Sequence, residues 1–235
     1  VFPGFVDGHT HPVFAATRED EFHRRCAGAD YLAIAQAGGG ILSSVRAVRA
    51  ASETELVAGV VARLDAFLAH GTTTIEGKSG YGLSTEHEVK SLHALTRAAA
   101  GHPLTVMRTF LGAHEVPAEY RPDTDAYVEL VVTETLPAVV GICEACDVFA
   151  EPKVFDAARS RRILVAARAH GLRLRVHADE IEPMGGAELA VELDADSADH
   201  LAVVSDAGIR ALASSRTTAM LLPGTSFLLG KGKHA

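Results

Sequence analysis

The chain contains no tryptophan and only three cysteines in 235 residues. Three thiols cannot supply a framework of paired bridges, which excludes a small disulfide scaffold and makes the reducing cytoplasm the expected compartment. No apolar run approaches the roughly 20 residues of a membrane-spanning helix, and the N-terminus does not read as a secretory signal. Cationic excess is missing too. Lys plus Arg is 22 against 30 for Asp plus Glu, a formal net charge of −8. Without a basic cluster, such a chain is a poor partner for a nucleic-acid backbone. What remains, 48% hydrophobic and 22% charged residues, is the balance of a globular protein of one large or two small domains. Against these shortages stands one surplus, twelve histidines.

Two textures alternate along the chain. One is a short β-rich run ending in polar residues, and the other is a helical pattern that stops at glycine. Ser52 with Glu55 forms a capping box ahead of Leu56, Val60, Leu64, Phe67 and Leu68, and Gly71 ends that helix. Thr85 with Glu88 reads as a second capping box, before the stripe Val89, Leu92 and Leu95 and the stop at Gly101. Further helices are expected near 126–136, 155–170, 184–193 and 205–213. Strands are expected at 5–9, 72–76, 104–110, 147–150, 172–177, 197–201 and 217–222. Strands alternating with helices imply parallel pairing and crossover helices. Seven strands suit an open doubly wound sheet or a (β/α)8 barrel cut short, since the closed barrel needs eight. Segment 10–51 is long for a connection, which marks it as functional or as carrying short helices of its own. The chain opens on Val1 and enters a strand at once, and we expect it to be a piece of a longer protein.

The sharpest local signal is Pro3-Gly4-Phe5-Val6-Asp7-Gly8-His9-Thr10-His11. The period of two along a strand puts His9 and His11 on one face, and two adjacent imidazoles make a half-site for a divalent metal. Tyr81, His114, Glu151, His177 and His200 also fall at the C-terminal ends of expected strands, where parallel α/β folds build their active sites. In His177-Ala178-Asp179-Glu180 an imidazole and carboxylates lie within one turn. Glu180 then reads as a general acid or base beside a metal, or else as a carboxylate favoured by a helix start. The histidines at 23, 70, 87, 93, 102 and 170 lie in helices, helix ends or loops and are read as ordinary. Gly77-Lys78-Ser79 lacks the earlier glycine of a phosphate loop, because Thr72 stands in its place. Cys143 and Cys146 read as buried free thiols.

These stretches carry a resemblance. Residues 3–11 resemble the opening metal motif of the amidohydrolase superfamily. Within it, most of the chain is similar to the branch that opens an imidazolone ring in histidine degradation. The similar stretches are His9 to Ala15 with Arg18, Glu21 and Phe22, then Gly38 to Ile41, Glu76 to Leu83 and Thr109 to His114. His177 to Glu180, Ser197 to Leu201 and Leu221 to Thr225 complete them. The resemblance implies a TIM-type (β/α)8 metal-dependent hydrolase barrel, incomplete here, with about seven βα units and strand eight missing. Residues 1–235 would then be a partial barrel domain, without the small β-rich domain and C-terminal strand of the family. The implied reaction is hydrolysis of 4-imidazolone-5-propanoate to N-formimidoyl-L-glutamate. By the same resemblance His9, His11 and His177 hold one divalent ion, Zn2+ or Fe. Arg18, Tyr31, Tyr81, His114 and Glu180 contact substrate, and Glu180 and His200 are the acid–base and orienting groups. The small-molecule substrate is the implied partner, with neither nucleic acid nor membrane, and the full-length parent is expected to be a homodimer. The family's last metal-site group, an Asp on strand eight, has no counterpart by Ala235, so the chain alone is expected to be inactive. The alternatives are another cyclic amidohydrolase or deaminase on the same barrel, or a non-catalytic metal-binding fragment.

Overall fold

Seven strands pair in sequence order, every neighbouring pair parallel, in one sheet. They are β1 (Phe5–Thr10), β2 (Thr72–Lys78), β3 (Thr105–Ala113), β4 (Ala145–Ala150), β5 (Arg173–Ala178), β6 (Ser197–His200) and β7 (Thr218–Leu221). The computed structural model describes residues 1–28 and 39–228. The sheet curls into a nearly closed barrel, the incomplete (β/α)8 architecture expected. Among the described residues no strand pairs with the outer edge of β1 or β7. Side chains span part of that opening. Met220 of β7 packs over Gly8 of β1, so tightly that a Cβ there would lie 2.5 Å from its methyl carbon. Arg175 of β5 reaches across the interior to the Gly8 carbonyl at 3.3 Å. The edge strands themselves stay bare, with Phe5 69%, Val6 72% and Leu221 56% exposed. Apolar faces of this kind are normally covered.

Between β1 and β2 run α1 (Glu19–Cys26), α2 (Ile41–Ala50) and α3 (Glu53–Ala69). The first two occupy the long 10–51 segment. The acidic opening Glu19-Asp20-Glu21 suits a helix N-terminus, and Glu21 accepts from the Gly40 amide at 2.9 Å, tying α1 to the start of α2. The capping box of α3 forms as expected, with Glu55 N donating to Ser52 Oγ and Ser52 N to Glu55 Oε2. Its stripe buries Leu56, Val60 and Leu64 completely, about 1.5–3 kcal/mol of hydrophobic stabilisation per side chain. Leu68, at the helix end, is 37% exposed.

After β2 comes α4 (Thr85–Ala100), and after β3 a pair of short helices, α5 (Thr124–Leu130) and α6 (Leu136–Val139), joined by a wider π turn. Beyond β4, β5, β6 and β7 follow α7 (Ala157–Ala169), α8 (Gly186–Glu192), α9 (Asp206–Ala213) and α10 (Pro223–Leu228). The second expected capping box is absent. Thr85 is the first helical residue, and its hydroxyl meets Thr135 Oγ1 at 2.9 Å. Glu88 faces inward, wholly buried, and accepts from the amides of Gly80, Gly82 and Leu83 at 2.8–3.1 Å. The sequence rule located the helix start, but the core side of the helix took its carboxylate. Cys143 and Cys146 are buried free thiols, as expected.

Candidate metal centre

The barrel places its polar groups at the C-terminal strand ends. His9 and Thr10 close β1 and His11 follows. His114 follows β3, His177 lies in β5, and His200 closes β6. The five imidazoles form one cluster centred on His177. Its ring centroid lies 4.5 Å from His9, 5.0 Å from His200, 5.4 Å from His11 and 5.7 Å from His114. His9 Nε2 and His11 Nε2 are 3.2 Å apart. One donor nitrogen from each residue fits within 4.8 Å in two trios, His9–His177–His200 and His11–His114–His177. The set named from sequence, His9, His11 and His177, sits in this cluster and draws on both trios.

Beneath the rings lies a buried charge network that the sequence reading did not assign. Lys78 Nζ is 2.7 Å from Glu76 Oε2, 2.7 Å from Asp147 Oδ2 and 3.6 Å from Asp199 Oδ2. Asp199 Oδ2 meets His9 Nδ1 at 2.6 Å, and Asp147 Oδ2 lies 2.8 Å from His177 Nδ1. Arg175 Nε adds a contact of 3.1 Å to Glu76. Three carboxylates against two permanent cations leave the floor of the cluster one charge negative, which favours a cation above it. The available signal was a charged residue inside an otherwise buried strand. Glu76 and Lys78 share one face of β2, and ionised groups are almost never fully buried unless paired.

Burial, with Lys78 and His177 nearby, pushes His9 down to about 3. Burial and His177 take His114 to about 3 and His200 to about 2. These rings are therefore neutral near pH 7, the form that ligates metals. His177 is the exception. Burial opposes its charge, but Asp147 outweighs burial and raises it. Burial works against an ionised Asp147 also, and is outweighed by His177 and Lys78, which hold it well below the usual range. His11 Nδ1 and both ring nitrogens of His177 are buried with no hydrogen-bond partner among the described residues, the 2.8 Å approach of His177 Nδ1 to Asp147 being an ion-pair contact off hydrogen-bond geometry. Unpartnered imidazole nitrogens above a negative floor are a donor set that fits a divalent ion.

The loop after β5 separates two neighbouring carboxylates. Asp179 supplies the helix-start carboxylate, accepting from Met184, Gly185, Gly186 and Ala187 amides at 2.9–3.1 Å. Glu180 is thereby released from that task, and its Oε1 lies 3.5 Å from His200 Nδ1. Glu151, after β4, accepts from the Glu180, Ile181 and Glu182 amides and fixes this loop. His200 and Leu201 have φ of 74° and 58°, a left-handed conformation costly for such residues and held by hydrogen bonds from Leu201 N to Ala178 O and Val203 N to Asp179 O.

A pocket of ≈ 210 Å³ opens beside His11 and is lined by Arg18, Tyr81, Phe14, Thr17 and Ser44. Arg18 and Tyr81 thus face one cavity next to the cluster. Tyr81 is carried by the loop that Glu88 holds. Within that loop Gly80 has φ +111°, and a Cβ on it would lie 2.9 Å from the Leu111 carbonyl oxygen. The Gly80 carbonyl also meets His114 Nδ1 at 3.0 Å. Tyr31 lies outside the described residues.

Solved structures share this fold. The chain superposes on an adenine deaminase from Arthrobacter aurescens with a TM-score of 0.70 at 14% identity, covering 99% of this chain and 76% of that one. It superposes on a 5-methylcytosine deaminase from Klebsiella pneumoniae with a TM-score of 0.69 at 14% identity, covering 99% and 57%. No family model matches the chain. The fold is an incomplete TIM-type barrel, shared with these deaminases, with a histidine and carboxylate cluster at its mouth.

Sequence comparison narrows the class: the chain is a homologue of the imidazolonepropionases over its whole length. It is 54% identical over 238 residues to that of Symbiobacterium thermophilum, 51% over 242 residues to that of Herpetosiphon aurantiacus and 52% over 230 residues to that of Halobacterium salinarum. These alignments cover 100%, 99% and 97% of the chain but 56%, 57% and 55% of the relatives, so it spans about half the length of the curated relatives it matches. No helix among the described residues is long and apolar enough to cross a membrane.

Proposed function

We propose that the full-length protein carrying this chain hydrolyses 4-imidazolone-5-propanoate to N-formimidoyl-L-glutamate, in the cytoplasm and as a homodimer. The observation that carries the reading is identity above 50% to proteins named imidazolonepropionase, spread over the whole chain. The site is chemically suited to it. His9, His11 and His177 are the residues assigned to hold one zinc or iron ion, with His114 and His200 beside them. Such an ion supplies Lewis acidity, polarising a carbonyl and making water more acidic. Arg18 and Tyr81 receive the propanoate carboxylate in the adjacent cavity, a guanidinium fork and a phenol donor being well matched to it. Glu180, 3.5 Å from His200, takes the proton of the attacking water and returns it to the ring nitrogen as the amide C–N bond breaks. His200 steadies that carboxylate, and His114 lines the mouth and orients the ring.

The test is turnover by the full-length protein, with the product identified by mass. Ring opening with gain of one water, and no ammonia released from adenine or cytosine, supports the reading. Deamination of a nucleobase without action on the imidazolone overturns it.

A further inference from the structure

The buried ammonium of Lys78 is not explained by substrate contact. Its side chain is fully enclosed, and Asp147 and Asp199 separate it from the rings of His177 and His9. Those two rings come from strands on different sides of the barrel, β5 and β1. Each turns Nδ1 down to a carboxylate, and both carboxylates present the same Oδ2 atom to their ring and to Lys78. A neutral imidazole that donates from Nδ1 keeps a lone pair on Nε2. His9 Nε2 points to His11, and neither nitrogen of His177 has a hydrogen-bond partner among the described residues, its Nδ1 meeting Asp147 Oδ2 as an ion-pair contact at 2.8 Å. Asp147 is secured on its other side by the His177 backbone amide at 3.1 Å, but Asp199 Oδ1 has no partner among the described residues. Among the described residues, the orientation of Asp199 therefore rests on His9 and Lys78.

We infer that Lys78 is a positioning residue that couples His9 to His177: through Asp199 and Asp147, one ammonium fixes both rings with Nδ1 toward the floor, leaving the lone pair for a metal on Nε2. Packing alone would be satisfied by any group filling the same space. Coupling requires that a change at one carboxylate be felt at the ring held by the other.

The metal arm of the test rests on the proposed reading of the cluster, and the ring arm does not. Nitrogen-15 NMR of the metal-free, full-length protein at alkaline pH should show both His9 and His177 protonated at Nδ1. Lys78→Met should disturb both rings at once and weaken zinc binding, measured by competition with a chelating dye, by about 10- to 100-fold. In an Asp147→Asn background the same change should cost markedly less, because the two act in one chain of contacts. Asp199→Asn provides a second route that leaves Lys78 in place, and it should shift the His177 resonances as well as those of His9. Wild-type rings protonated at Nε2, a His177 signal unmoved by Asp199→Asn, or zinc affinity unchanged by Lys78→Met would each overturn the assignment. Failure of the wild-type protein to bind zinc would instead count against the proposed function, with the ring arm still deciding this one.

Discussion

Replacing Glu88 by alanine tests how the Tyr81 loop is built. The Glu88 carboxylate is the acceptor for the Gly80, Gly82 and Leu83 amides, and nothing at this depth replaces it. A buried donor left unpaired costs about 1–3 kcal/mol, so three give a gross penalty of roughly 3–9 kcal/mol. Relief of the buried carboxyl's own desolvation offsets several kcal/mol of this, and burial does push the Glu88 carboxyl up against the hydrogen bonds of Ser79 and the loop amides. The net expectation is a loss of about 3 kcal/mol. Glu88→Gln keeps one oxygen for the Gly82 and Leu83 amides, which share Oε1, and strands only the Gly80 amide, so about 1–2 kcal/mol is expected. Urea unfolding of the full-length protein gives both values. Because the loop carries Tyr81 and the Gly80 carbonyl that holds His114, Glu88→Gln should also raise KM more than it lowers kcat. An alanine variant within about 0.5 kcal/mol of wild type, the range of an ordinary surface change, would refute this account of the loop.

Arg18→Lys should leave metal content unchanged and raise KM for the imidazolone, since an ammonium cannot reproduce the bidentate fork; steady-state kinetics with metal analysis checks both. Glu144 pairs with the Arg108 side chain and accepts from its backbone amide at 2.6 Å. Burial opposes ionisation there, but Arg108 outweighs it and lowers the Glu144 pKa. The stabilisation is therefore complete above the unfolded carboxylate pKa and is lost as pH falls through the folded one. Urea midpoints of wild type and Glu144→Gln should differ near neutrality and converge in acid, and a constant difference would contradict the pairing.

Much of the fold was legible because the signals were local. Runs such as Thr72 to Ile75, stopped and started by glycine, gave every strand close to its observed bounds. The H-x-H pair and the histidines at strand ends marked the mouth of the barrel, since alternation along a strand and the C-terminal location of sites in parallel folds are both readable from spacing. The rest depended on distance. Asp147 and Asp199 lie 52 positions apart in the sequence (199 − 147) and are brought together at Lys78, so neither carried a signal beyond a charge in a strand. Glu88 looked like a cap because local spacing cannot tell which face of a helix the core will claim. Helices α1 and α2 went unassigned because the first is nearly all polar and lacks an apolar stripe. The second has Gly40 as its N-cap and so no side-chain cap.

The central claim, that the imidazole cluster over the Lys78 network is a metal centre, is tested most directly by metal stoichiometry. The full-length protein, purified and dialysed without chelator, should carry close to one divalent ion per chain, as measured by elemental analysis. His177→Ala, which removes the ring that touches the other four, should carry almost none while keeping its fold by circular dichroism. A His177→Ala protein that retains the wild-type metal content would contradict the account.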